Sequence, residues 1–359
     1  MLERLYLQGF RNYAEQWFQP GSGVNVVVGE NGSGKTSLLE AIYLLSSGRS
    51  FRSGRLQNLV MAGHDLLTVF AQVHDQGGVH RLGLSRDAKG LVDVRKDGER
   101  TNSLAELAKC FPVQVLHPGT VGLIEGGASE RRRQYDWALF HVEPEFLPAW
   151  RNLRQALEQR NQWLKLRRFD AREWAIWDQQ VSESSVRIDA ARHRYLKQLE
   201  GLFRQQLEQF SRGLPPLSLR LYSGWSQQES IAQALQSSRE LDAARGFTSK
   251  GAHRADLVIS LASGPARELL SRGQKKIAAY ALVLAQVALL RSHGHKDCLM
   301  LVDDITAELD SDNAQRVMTA VAQVVSQSII TTLDSRLVPK DPADSYRVFH
   351  VEHGKLAER

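Results

Sequence analysis

The stretch Gly29-Glu30-Asn31-Gly32-Ser33-Gly34-Lys35-Thr36 constrains this chain more than any other. It fits the pattern G-x-x-x-x-G-K-[ST] and lies between an apolar β-branched run, Val24 to Val28, and a helical run, Ser37 to Leu45. A glycine-rich loop joining a strand to a helix commits its surroundings to an α/β arrangement. The glycines let backbone N–H groups turn inward around phosphate, and the helix N-terminus adds positive potential. Lys35 then reaches the β- and γ-phosphates, and the Thr36 hydroxyl ligates magnesium. Glu30, Asn31, Gly32, Ser33, Gly34 and Ser37 complete the expected ATP cradle.

A second constellation comes late in the chain. Leu299-Met300-Leu301-Val302-Asp303-Asp304 reads as a buried strand that delivers two acids at its end. Paired with the phosphate loop, Asp303 is placed to hold the magnesium water shell, and Asp304 to orient or polarise the attacking water. An aspartate reaches less far than a glutamate, so slow turnover is expected. Leu270-Ser271-Arg272-Gly273-Gln274 precedes a long helix; taken alone it is a capped helix start with a basic first turn, Lys275 and Lys276. Asp310 likewise suits the N-cap of the segment from Ser311 onward.

Strand patterns over Leu2 to Leu7, Leu67 to Val73, Val79 to Leu84 and Leu91 to Arg95 predict a β-rich first lobe, with a hairpin turn at Lys96-Asp97-Gly98. Leu104 to Lys109 and Ala128 to Phe140 read as helices. From Glu143 to about Phe210 the texture changes to long charged helices, broken near Phe169-Asp170. There Trp174, Val181, Ile188, Tyr195 and Leu202 recur every seven residues. Such a segment forms either a packed helical bundle or a short antiparallel coiled-coil arm. After Gly246 a strand (Leu257 to Leu261), a long helix (Arg272 to Leu290) and further strands (Leu299 to Val302, Ser328 to Thr331) restore the α/β pattern. The expected division is therefore 1–142, 143–245 and 246–359.

No run of 18 or more apolar residues occurs and no signal peptide leads the chain, which argues against a membrane protein and for a cytoplasmic one. Cys110 and Cys298 read as reduced buried thiols rather than a disulfide or metal ligands, and no structural metal is expected. A formal charge of +6 and a pI near 9.3 suit a polyanionic partner such as nucleic acid. No zinc finger or recognition helix appears, so base-specific readout is not expected.

The ordered set of phosphate loop, Leu270 to Gln274, paired acids and Ala307-Glu308-Leu309-Asp310 is similar to that of ABC-type ATPases. Phe10-Arg11-Asn12-Tyr13, Gly48-Arg49-Ser50-Phe51-Arg52, Gly126 to Arg132 and Gly251-Ala252-His253-Arg254-Ala255-Asp256-Leu257 narrow the resemblance to the RecF family, from Met1 to about Lys355. Ala252 and Ala255 depart from the family's usual proline and aspartate. The resemblance implies an α/β, ABC-ATPase-like head with a phosphate-loop core, a β-rich lobe and a helical second lobe. In that reading Ser271, Gly273 and Gln274 face the γ-phosphate of an ATP held by a second copy of the chain. Asp310 belongs to a D-loop, Arg11 and Asn12 lie near the adenosine, Arg52 lies near the phosphates, and Gln114 is the Q-loop glutamine. Thr332 occupies the region where transporter ATPases carry a switch histidine. The resemblance further implies an ATP-dependent homodimer with Mg2+ that binds gapped duplex DNA at single-strand/double-strand junctions. Its implied partners are RecR and RecO, in loading RecA. A transporter's ATPase subunit and an ATP-binding scaffold without productive hydrolysis are the competing readings.

Overall fold

The computed structural model describes the chain except residues 53, 55, 76, 102, 167–170, 211–213, 295–297, 305–308, 310, 334–345 and 359. By packing, it divides into one unit of Met1–Thr120 with Leu290–Arg359 and a second of Val121–Leu289. The sequence texture changes at other points, 142/143 and 245/246. Packing groups 121–142 and 246–289 with the helical segment because the helix 128–142 contacts both long helices and the strand 256–261, which in turn pairs with the strand 218–222.

The first unit opens with β1 (Leu2–Phe10), β2 (Tyr13–Phe18), β3 (Val24–Val28) and α1 (Lys35–Ser47). β4 (Leu66–Asp75), β5 (Gly78–Asp87), β6 (Val92–Lys96), β7 (Glu99–Arg100), α2 (Leu104–Cys110) and β8 (Val113–Leu116) follow. An antiparallel sheet runs in the order β2-β1-β4-β5-β6-β7. Its strands alternate: Leu5, Leu7, Val69, Ala71, Val73, Leu82 and Leu84 are buried, while Arg4, Gln8 and Arg81 face water. One solvated face is the usual state of such a sheet. Asp97 and Gly98 both adopt positive φ, 53° and 90°, as the tight turn between β6 and β7 requires.

The chain then passes through the second unit. β12 (Leu299–Val302), the helix Ser311–Val324, β13 (Gln327–Thr332), β14 (Tyr346–Glu352) and β15 (Lys355–Glu358) return to the first. The second sheet of this unit has the order β15-β14-β3-β13-β12-β8, parallel except for β15. β12 and β13 are buried along their whole length, as apolar strands covered on both faces are. Helix α1 packs against both sheets, and ten of its thirteen residues are buried. Burial of Leu38, Leu39, Ile42, Leu44 and Leu45 gives roughly 10 kcal/mol of gross hydrophobic stabilisation, before chain entropy is subtracted. Gln327 also joins the sheets: its side chain accepts from Leu2 N at 2.7 Å and donates to Leu2 O at 2.9 Å. Placing β3 between β14 and β13 brings the C-terminal ends of β3, β12 and β13 to one edge, where open parallel sheets bind ligands.

The second unit contains α3 (Gly122–Glu125), α4 (Ala128–Val142), α5 (Phe146–Leu166), α6 (Ala171–Phe210), β9 (Ser218–Tyr222), α7 (Ile231–Ser237) and α8 (Arg239–Arg245). It continues with β10 (Asp256–Leu261), β11 (Gly264–Pro265), α9 (Ala266–Leu269) and most of α10 (Arg272–Ser292). The heptad stripe on α6 is buried at Trp174, Val181, Ile188 and Tyr195, then shifts from half-buried Leu202 to buried Phe203. This seam is covered within the unit by α4, α5, α7 and β9, so the segment is a packed lobe. Tyr195 meets Tyr135 of α4 edge-on at 5.1 Å, and Arg192 binds Asp136 with two hydrogen bonds and the carbonyl of Ala252 with a third. Arg132 donates to the carbonyl of Ala255, so both positions that depart from the family pattern are pinned through their backbones. Arg160, fully buried on a helix that reads as charged surface, binds Asp178 and Asp242. The expected break at Phe169-Asp170 lies outside the described residues.

Candidate nucleotide site

The phosphate loop leaves β3 and enters α1 as its sequence requires. Gly32 and Gly34 take φ of 80° and 125°, regions that favour glycine. A Cβ on Gly34 would stand 2.8 Å from Asn12 Nδ2 and 2.9 Å from the Tyr13 hydroxyl, so this position excludes any side chain on two grounds. The loop is held from outside. Tyr13 donates its hydroxyl proton to Gly34 O at 3.0 Å, and Asn12 Nδ2 and Gly354 N each donate to Ser33 O at 2.9 Å. The Lys35 ammonium donates to Gly29 O at 2.5 Å and Glu30 O at 2.9 Å. Burial lowers its pKa, while Asp304 and Asp303 pull it back up. Ser33 Oγ and Asn12 Oδ1 are buried with no hydrogen-bond partner among the described residues, a state that a polar ligand would relieve.

The loop borders a cleft of ≈ 510 Å³, a size typical of small-ligand sites. Arg11, Asn12, Glu30, Asn31, Gly32, Gly34, Lys35, Thr36, Ser37, Arg52 and Asp304 all line it. The paired acids arrive on β12. Asp303 N donates to Leu116 O at 2.8 Å, and Asp303 Oδ1 accepts from Thr36 Oγ1 at 2.8 Å and from Thr331 Oγ1 at 3.0 Å. Burial raises the Asp303 carboxyl pKa, against these two hydroxyls, and neighbouring Asp304 raises it further. A buried carboxylate beside a hydroxyl is a hard oxygen donor set, and a cation there would offset the cost of burying its charge; the residues fit Mg2+. Asp304 has φ 47°, rare for a residue with a side chain, and its N–H donates to Thr331 Oγ1 at 2.9 Å.

Two residues of this site went unnoticed in the sequence. Thr331 is one: the strand end drew attention to Thr332, yet Thr331 anchors both acids. Glu40 is the other. Its fully buried carboxylate accepts Arg11 Nε and Nη2, each at 2.9 Å, and the Ser50 hydroxyl, with Arg52 Nη1 at 4.0 Å. Arg11 (φ 54°) also donates to Asn58 O at 3.0 Å. Thus one acid on α1 organises two arginines of the cleft. The available signal was an acid inside an otherwise apolar run, Leu38 to Leu45.

Other expected residues lie elsewhere. Gln114 is buried in mid-strand opposite Met300 and does not line the cleft, because β8 pairs in register with β12. The residue that follows β8 is His117. Its Nδ1 accepts from Gly119 N at 3.2 Å, its ring packs on Phe51, and burial pushes its pKa down to about 4. Ser271, Gly273 and Gln274 belong to the second unit. They form an exposed helix start in which Ser271 N donates to Gln274 Oε1 at 2.9 Å and Gln274 N to Ser271 Oγ at 3.3 Å. Asp310 and its D-loop neighbours Ala307 and Glu308 lie outside the described residues. No described helix is long and apolar enough to cross a membrane.

Comparison with known proteins bears on this geometry. Residues 1–357 match the family model described as RecF/RecN/SMC N terminal domain. The chain is 39% identical over 364 aligned positions to the DNA replication and repair protein RecF of Pseudomonas aeruginosa (strain PAO1), covering 99% of this chain and 97% of that one. Against the protein of the same name from Stutzerimonas stutzeri it is 40% identical over 361 positions, with the same coverage. Its fold is similar to the recombination mediator protein RecF-ATP of the RecFOR pathway, with a TM-score of 0.88 and 25% identity over 100% of this chain and 97% of that one. The Smc head bound to the C-winged helix domain of ScpA shares the fold at a TM-score of 0.60 and 17% identity, over 100% of this chain and 97% of that one. With the family model spanning nearly the whole chain and curated relatives near 40% identity, the chain belongs to the RecF family, with the mixed α/β head of ABC and SMC ATPases.

Proposed function

We propose that this chain is an ATP-dependent DNA-binding recombination mediator that closes as a head-to-tail homodimer on duplex DNA near the single-strand/double-strand junctions of gaps. In this reading it acts in the cytoplasm with RecR and RecO to assist RecA loading. The observation that carries the proposal is the convergence of Lys35, Thr36, Asp303 and Asp304 at the ends of β3 and β12, bordered by the arginines that Glu40 holds. The loop N–H groups and Lys35 bind the β- and γ-phosphates, and Arg11 and Asn12 lie on the adenosine side. Thr36 and Asp303 would hold Mg2+, which neutralises phosphate charge when bound. Asp304 orients water for attack on the γ-phosphorus and accepts its proton as the bond to the β-phosphate oxygen breaks. The short reach of an aspartate makes this slow; a basal rate above several per second would overturn that part.

Ser271 and Gly273 are exposed, and a Cβ on Gly273 would meet nothing within 4 Å, so this helix start is open to the γ-phosphate of a nucleotide on a second copy. Ser271→Arg is expected to leave ATP binding intact and abolish dimerisation; a dimer of normal stability in that variant refutes the sandwich. The whole proposal is tested by equilibrium binding to a gapped duplex with ATP, with ADP and with no nucleotide, at two salt concentrations. Tight, salt-sensitive binding that requires ATP supports an ATP-gated clamp, whereas equal weak binding in all three states overturns it.

A further inference from the structure

Asp75 at the end of β4, His80 on β5 and Cys110 at the end of α2 bring a carboxylate oxygen, a ring nitrogen and a thiol sulfur within 4.8 Å of one another. They form the one such group among the described residues, and all three belong to the first unit. His80 Nε2 lies 3.4 Å from Asp75 Oδ1, long for a hydrogen bond. It matches the spacing of about 3.4 Å between two ligands that each stand ~2.1 Å from a tetrahedral zinc. The other ring nitrogen, Nδ1, is 2.9 Å from Asp97 Oδ2, the carboxylate–histidine contact that fixes the tautomer of a metal-binding imidazole. Both carboxylates are themselves anchored: Asp75 Oδ1 accepts from Gly77 N at 2.7 Å and Asp97 Oδ1 from Arg81 N at 2.8 Å.

A charged histidine between two aspartates would account for part of this cluster without a metal. It does not account for the sulfur of Cys110 in the same group. Three ligand types and an orienting carboxylate make this more than the inert thiol expected from sequence.

We propose that Asp75, His80 and Cys110 bind one zinc ion, with water as the fourth ligand and Asp97 orienting His80, thereby fastening α2 to the β4–β5 hairpin.

The test uses the full chain without a histidine tag, titrated with cobalt as a spectroscopic stand-in and then with zinc. One equivalent of cobalt should bind with sulfur-to-metal charge-transfer absorption, zinc should displace it, and zinc should raise the thermal midpoint. Adding Mg2+ and ATP should not remove the band, because the nucleotide cleft offers no sulfur. Cys110→Ser should abolish the band, and Asp97→Asn should weaken zinc binding about 10- to 100-fold. Should Cys110→Ser fail to fold, His80→Gln replaces it, with a loss of at least about tenfold. Absence of the band in the native chain, its survival in Cys110→Ser, or zinc affinity unchanged in His80→Gln overturns the proposal.

Discussion

Replacing Glu40 by glutamine tests whether the cleft's arginines depend on one buried acid. The carboxylate has no exposed surface and receives both bonds of a bidentate Arg11 pair at 2.9 Å. Breaking a fully buried ion pair costs about 3–5 kcal/mol. Here Arg11 keeps 22% side-chain exposure and its bond to Asn58 O, and the amide retains one acceptor oxygen. These offsets reduce the expected loss to about 2 kcal/mol, roughly the worth of one charge-assisted hydrogen bond. The second consequence is functional. With Arg11 and Arg52 released from their common anchor, each binding event must order them anew, and ATP affinity should fall about tenfold, or ~1.4 kcal/mol. Urea unfolding of the nucleotide-free chain reads the first number, and equilibrium titration with ATP reads the second. A 2 kcal/mol loss of stability with unchanged ATP affinity would refute the positioning argument. No loss of either kind would refute the ion pair itself.

Gly34→Ala, which forces a side chain onto φ 125° and into the Asn12 and Tyr13 contacts, should reduce ATP affinity at least about 100-fold. Calorimetric titration checks it, and near-native affinity would show that the loop relaxes freely. Acid should destabilise the fold through His117 and His253, both pushed down to about 4 by burial. A histidine whose folded pKa lies below its unfolded value of ~6.5 costs stability as pH falls from about 6.5 to 4 and no more below that, about 2 kcal/mol each by pH 5. His253 illustrates why: its Nδ1 is buried without a partner among the described residues, so a proton there would be left unpaired. Urea unfolding at pH 7 and pH 5 should show this loss, and His253→Gln should shrink it; an equal loss in the variant removes His253 from the account.

Much of the site could be read from contiguous residues. The phosphate loop needs glycines at positive φ followed at once by a helix, and both requirements are local, so Gly29 to Thr36 declared strand, loop and helix together. The acids at the end of Leu299 to Val302 were legible for the same reason, as was the hairpin at Asp97-Gly98. The heptad stripe of α6 identified a buried helix face but not what covers it, since seven-residue spacing is common to an arm and a packed lobe. What escaped depended on register and strand order. The parallel pairing of β8 with β12 puts Gln114 opposite Met300 and Leu116 opposite Val302, and no feature of the peptide Val113 to Pro118 contains that alignment. Thr331, rather than Thr332, binds the acids because alternation along β13 points successive side chains to opposite faces.

The sequence by itself determined the family, the phosphate loop and the paired acids, because each is written in short runs whose backbone geometry follows from residue type. Only the tertiary structure decided that Glu40 gathers Arg11, Ser50 and Arg52, that Gly354 and Asn12 brace Ser33, and that Arg160 is a core residue. The physical reason is common to all three. A buried polar group must find its partner where the fold brings one, and Gly354 reaches Ser33 across more than three hundred residues of chain because β14 pairs with β3.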